Sequence, residues 1–133
     1  MDDIELTAIW GADVIREDIL ESDRWFTNED RGIGYTCQDG AGDPVVMTGW
    51  ALSWVMKRNA SDADASAILT KTTAGGGITL TSASRARVVI AAGDTDGTVR
   101  PRQYWIELKR TDAGNERVLA RGLGKLQRSA HIS

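Results

Sequence analysis

The sequence has little of the residues on which much small-protein chemistry depends. It contains one cysteine, one histidine and two prolines among 133 residues. A single cysteine excludes an internal disulfide and a cysteine-based zinc site. The only histidine, His131, lies two residues before the last one, where chains tend to fray, so a catalytic triad or multi-histidine metal site is not expected. We therefore expect no enzyme, no cofactor and no bound metal.

Long apolar runs are also missing. A helix needs about 18 or more apolar residues to span a bilayer, and no such run occurs. The first residues, 1 to 5, lack the basic and apolar regions of a secretory signal. These absences predict a protein that is made in a cytoplasm and does not associate with membranes.

The net charge of −3 hides an uneven distribution, because residues 1 to 47 carry −9 and residues 48 to 133 carry +6. One interpretation is that the asymmetry vanishes when distant strands mix in a sheet. The other is an acidic arm and a basic body that join neighbouring subunits head to tail. The basic half could also contact DNA phosphates, but the acidic pI of about 5.1 argues against nucleic acid as a partner.

Alternation of apolar and other residues predicts strands from residue 32 onward. It is clearest where Trp50, Leu52, Trp54 and Met56 share one face, which we expect in the core. Cys37 lies in phase with the apolar strand before it, so we expect it to be a small buried side chain.

Turn residues separate the other predicted strands. Gly75 to Gly77 predicts a sharp corner, and Asp112 to Asn115 predicts a hairpin. Many short strands without a helical period are typical of an all-β fold. We expect an immunoglobulin-like antiparallel β-sandwich of about seven strands over residues 29 to 128.

The segments outside this sandwich are an N-terminal arm, residues 1 to 28, and a C-terminal tail, residues 129 to 133. Ile15 and Ile19 are four residues apart and Asp13 could cap a helix, so the arm is either a short amphipathic helix or an extended docked segment. The pattern does not decide between them.

Several short motifs, taken in order, resemble the immunoglobulin-like N-terminal domain of phage baseplate upper proteins and related small phage tail proteins. They are Asp43 to Trp50, Gly75 to Leu80, Asp94-Thr95, Tyr104 to Leu108, and Gly114 with Leu119 to Gly122. Met47 stands where the family usually has leucine, and the N-terminal segment is longer here. The resemblance covers about residues 29 to 128.

The resemblance implies a structural virion protein that docks other subunits in the tail, baseplate or head-to-tail region, such as fibres or spikes. We expect it in the virion after assembly in the host cytoplasm, as a homo-oligomer in a symmetric ring. The candidate interface residues are Trp10, Trp25, Phe26 and Trp105, since aromatic residues are enriched at interface hot spots.

Other functions remain open at this point. An exposed row of the five tryptophans could stack on sugars, as in a carbohydrate-binding module, and a capsid decoration protein would share the same fold. The paired acids Asp62/Asp64 and Asp94/Asp96 could hold Ca²⁺, but solvated turns explain them better, and no bidentate glutamate follows Asp94 to Gly97 at the required distance.

Overall fold

A computed structural model describes residues 3–14, 16–95 and 99–128. Eight strands in this part form two four-stranded sheets that share one apolar core. The strands are β1 Ile4–Ile9, β2 Arg31–Gln38, β3 Leu52–Lys57, β4 Leu69–Thr72, β5 Ile78–Ser82, β6 Arg85–Ile90, β7 Arg102–Arg110 and β8 Arg117–Leu126. Short 3-10 turns occur at Glu21–Asp23, Asp64–Ser66 and Ala92–Thr95. The predicted all-β sandwich is confirmed.

The first sheet has the strand order β1-β2-β6-β5, and the second has the order β4-β3-β7-β8. Six named strand pairs occur, of which five are antiparallel. The β1–β2 pair is parallel, with Ile4 opposite Ile33 and Ile9 opposite Gln38, and it is the exception in a predominantly antiparallel sandwich. The connection over residues 10 to 30 is long enough to return the chain to the same end of the sheet, as parallel pairing requires.

The core lies between the two sheets and contains the predicted apolar face of β3. Trp54 is fully buried, and its Nε1–H donates a hydrogen bond of 3.1 Å to the Tyr35 hydroxyl of the opposite sheet. Cys37 is also fully buried, which confirms its predicted role as a small apolar side chain. Burial raises the pKa of its thiol to about 11, so the thiol stays protonated near neutral pH.

The segment predicted as an arm is part of the sandwich. Ile4, Leu6 and Ala8 of β1 are buried in the core, as is Ile19. The arm boundary at residue 28 is therefore wrong. Apolar residues at alternate positions bury together once β1 joins the sheet, because their side chains all point to one face.

Two stretches on either side of the Glu21–Asp23 turn, residues 16 to 19 and 25 to 27, run beside β8. The N–H of Glu17 donates to the Arg121 carbonyl at 2.9 Å, and the N–H of Ile19 donates to the Leu123 carbonyl at 2.8 Å. The extended interpretation is confirmed and the helical one is wrong for the described residues; Ile15 lies outside them. The segment covers the edge of β8, which would otherwise present unpaired backbone groups.

Two glycines of β8 allow this close approach. A Cβ at Gly122 would overlap the Glu17 carbonyl, and one at Gly124 would lie 2.6 Å from the Trp25 ring. Trp25 packs against this glycine and is fully buried. It therefore cannot be an exposed anchor, and that part of the interface prediction is wrong.

The predicted hairpin between β7 and β8 is confirmed. The Asn115 N–H donates to the Asp112 carbonyl at 3.0 Å, and Gly114 has a φ of +83°, which glycine adopts without strain. No helix in the described ranges is long and apolar enough to cross a membrane.

Candidate interaction site

A cluster of two tryptophans and one arginine lies at one end of the sandwich. Trp10 follows β1, Trp50 precedes β3, and Arg110 is the last residue of β7. The two indole rings are 4.9 Å apart between centroids and tilted by 54°. The Arg110 guanidinium lies 3.9 Å from the Trp50 ring centroid and 4.8 Å from that of Trp10. Such cation–π geometry stabilises the cluster, and both indoles remain only partly buried.

Asp112 fixes the orientation of Arg110. Its two carboxylate oxygens accept hydrogen bonds of 2.8 Å from Arg110 Nε and 2.7 Å from Nη2. It also accepts a 3.2 Å bond from the Ala51 N–H. The hydrogen bonds from the Arg110 guanidinium lower the pKa of Asp112 to about 2, so it stays charged at any ordinary pH. Asp112 therefore links the guanidinium of the tryptophan–arginine cluster to the backbone at Ala51.

A turn places Trp50 in this cluster and not in the core. The Trp50 N–H donates to the Met47 carbonyl at 3.0 Å, and Gly49 has a φ of +83°, as the third position of a type II turn requires. The prediction that Trp50 belongs to the buried face of β3 is wrong, because β3 begins only at Leu52. The Thr48-Gly49 turn signal could have identified this boundary.

Trp105 lies on the outer face of the second sheet and is partly exposed. The guanidinium of Arg16 is 5.7 Å from its ring centroid, and that of Arg121 is 6.0 Å away. Its neighbours across the sheet are Lys57 and Leu123. Trp105 thus forms a second, separate contact between an indole and arginines.

Phe26 is partly buried and lines a cleft of about 480 Å³. It forms an isolated bridge to Gln127 next to the end of β8. The structure therefore does not bring the four predicted interface residues together. Trp10 and Trp105 reach the surface at different places, whereas Trp25 is in the core.

The charges of the two halves meet on the outer face of the first sheet. Arg85 Nη2 lies 2.6 Å from Glu5 Oε2 and 2.9 Å from Asp3 Oδ2, and Arg87 Nε lies 2.9 Å from Asp3 Oδ2. Lys125 and Glu21 form another such pair at 3.3 Å. Acidic residues of the N-terminal part are therefore neutralised by bases of the C-terminal part, as the first of the two interpretations of charge predicted.

One acid of each predicted pair forms an ion pair with a lysine. Asp64 lies 2.6 Å from Lys57 Nζ, and Asp94 lies 2.8 Å from Lys71 Nζ. The hydrogen bond from Lys57 holds the pKa of Asp64 below its usual value. Asp96 and His131 lie outside the described residues. In the described part of the chain, no three or more histidine, cysteine or acidic residues are placed to hold a metal ion.

Comparison with models of known protein families and with curated proteins finds no match. The site is therefore interpreted from its own geometry.

Proposed function

We propose that this chain is a structural protein of a tailed-phage virion that docks neighbouring subunits through its tryptophan–arginine cluster. The cluster of Trp10, Trp50 and Arg110 is the observation that carries the proposal. Tryptophan and arginine are the residue types most enriched at interface hot spots. The indole rings of Trp10 and Trp50 lie on the surface of the sandwich and stay partly accessible.

The cluster is ordered before any partner arrives. Asp112 holds the guanidinium with two hydrogen bonds, and the guanidinium lies against both indoles. Side chains that are already fixed lose little conformational entropy on binding, which favours affinity. This arrangement suits a docking surface better than a set of freely rotating side chains would.

The sequence resemblance to small phage tail proteins supports a location in the phage virion. The motif from Asp43 to Trp50 contributes one tryptophan of the cluster, and the strand that contains Tyr104 to Leu108 ends at Arg110. Two of the segments that resemble the phage domain thus build the proposed docking surface. Partners would be tail, baseplate, fibre or portal-proximal subunits, with several copies in a ring.

The test is quantitative mass spectrometry and cryo-electron microscopy of purified phage particles. We expect a fixed, symmetric copy number per particle. We also expect Trp50→Ala to lower incorporation by about tenfold, since truncation of a hot spot costs about 1–2 kcal/mol or more. Leu20→Ala is the matched control, because Leu20 is an exposed apolar side chain, 57% accessible, outside the cluster.

Absence of the protein from particles would refute the structural role. In that case, a saturable change of tryptophan fluorescence with host polysaccharide would favour the carbohydrate-binding alternative. Normal incorporation of a folded Trp50→Ala variant would leave the virion role standing and exclude the cluster as its docking surface.

A further inference from the structure

A cleft of about 340 Å³ lies at the end of the second sheet, where β3 ends, β4 begins and β7 starts. We call it the arginine cleft. Its lining residues are Arg58, Ile68, Val99, Arg100, Arg102 and Tyr104. Three of the six are therefore cations, and none is an acid.

The three arginines differ from most other bases of the described chain, which lie next to carboxylates. Ion pairs engage Arg16, Lys57, Lys71, Arg85, Arg87, Lys109, Arg110 and Lys125. Within residues 3–14, 16–95 and 99–128, no carboxylate is ion-paired to Arg58, Arg100 or Arg102. Like charges around one small cleft repel each other, so an anion between them would be favoured.

Pro101 and Tyr104 help to position Arg100 and Arg102. Pro101 lies between Arg100 and Arg102, and its ring fixes its own φ and restricts the backbone of Arg100 before it. The Tyr104 hydroxyl donates a 2.6 Å hydrogen bond to the Arg100 carbonyl, which ties this segment to β7. The Arg102 guanidinium lies 5.5 Å from the Tyr104 ring centroid. The segment that carries Arg100 and Arg102 is thus attached to β7 by the Tyr104 hydrogen bond.

Tyr104 lines the same cleft as the three arginines. Burial raises the pKa of its phenol, while the charges of Arg102, Arg58 and Arg100 act in the opposite direction. Three guanidiniums beside one hydroxyl make the electrostatic potential in the arginine cleft positive.

We propose that the arginine cleft binds a phosphate group, either free or at the end of a small phosphorylated ligand. A guanidinium presents several N–H donors in a planar fork that fits phosphate oxygens. A dianionic phosphate offers three terminal oxygens in different directions and can accept from three arginines at once, whereas a planar carboxylate has two oxygens. Ile68 and Val99, both partly buried, line the cleft beside the exposed arginines.

The test is an NMR titration of the ¹⁵N-labelled full chain with inorganic phosphate at constant ionic strength. We expect saturable shifts of the arginine side-chain signals and of the backbone amides of Val99, Arg100 and residues 102 to 104. Arg102→Gln and Arg58→Gln should each weaken binding by about tenfold, the effect of losing one charge-assisted hydrogen bond. Their thermal unfolding midpoints should stay near that of the parent, which separates lost binding from lost folding.

Arg128→Gln is the matched control, since Arg128 is exposed and removal of its charge changes the net charge equally. Shifts that never saturate, or equal weakening by Arg128→Gln, would show general ion screening and overturn the proposal. A second titration compares a dinucleotide with and without a 5′-phosphate. Binding only of the phosphorylated form places a terminal phosphate in the cleft, whereas equal binding of both forms would reveal contact with the nucleic-acid backbone and overturn it.

Discussion

The outer face of the first sheet and the arginine cleft use the same residue type in opposite ways. On the first sheet, Arg85 and Arg87 lie beside Glu5 of β1 and Asp3 just before it, and these four residues form a charged row. In the cleft, Arg58, Arg100 and Arg102 surround Tyr104 without an acidic lining residue. The first set of arginines pairs with acids of the fold, whereas the second has no acidic partner in the described residues and forms the phosphate site that we propose.

Glycines under the charged row make this difference possible. A Cβ at Gly34 would overlap the Arg85 guanidinium, and a Cβ at Gly32 would overlap the Asp3 carboxylate. The two glycines of β2 therefore let the side chains of β6 reach β1 across the intervening strand. Arginines become structural here because the neighbouring strand leaves them room to meet acids.

The largest expected effect comes from filling this space. Gly34→Val should displace the Arg85 guanidinium from Asp3 and Glu5 and destabilise the fold by about 1–3 kcal/mol, as overpacking typically does. Urea unfolding followed by tryptophan fluorescence measures the change. Gly93→Val is the control, because a Cβ at Gly93 has no neighbour within 4 Å; equal loss of stability in both variants would contradict the role assigned to the row.

A matched pair of arginine substitutions gives the next largest effect. Arg85→Gln should cost about 1–2 kcal/mol, because it removes charge-assisted hydrogen bonds to two carboxylates in a partly exposed setting. Arg102→Gln should change the free energy of unfolding by no more than about 0.5 kcal/mol, since no described carboxylate is paired with it. Equal losses in the same denaturation assay would erase the contrast between the two regions.

The smallest expected effect is a pH dependence that belongs to the charged row. The hydrogen bond from Arg87 lowers the pKa of Asp3 below its ordinary 3.8, and Arg85 acts in the same direction. The resulting stability is present above pH 3.8 and is lost as pH falls through the lowered value. Asp3→Asn should remove part of the acid-induced loss in unfolding experiments between pH 5 and pH 2. An unchanged acid transition in this variant would show that other groups dominate.

Sequence reasoning predicted the elements whose signals are local. Alternation identified β3 and the burial of Trp54 and Cys37, and turn residues identified the hairpin at Asp112. It failed for Trp25, since burial of that ring depends on Gly124 about a hundred residues later. Contacts between distant segments leave no periodic pattern at either position.

The candidate site shows the same division. Trp10 was singled out from the sequence, but its partners were not, because Trp50 and Arg110 join it only after three chain segments meet. Trp50 continued the alternation of β3 by position, but it is the last residue of the turn that contains Gly49, and β3 begins only at Leu52. The arginine cleft likewise brings Arg58, which follows β3, close to Arg100 and Arg102 at the start of the neighbouring strand β7.

The amino-acid sequence by itself determined an all-β chain, its strands from residue 32 onward, and the burial of one face of β3. Side-chain alternation and turn chemistry act over a few residues, so these features can be seen without coordinates. The tertiary structure decided that β1 pairs parallel to β2, which residues cover the edge of β8, and which arginines meet acids. Those outcomes depend on which distant strands lie side by side, and strand pairing is fixed by the packing of the whole core.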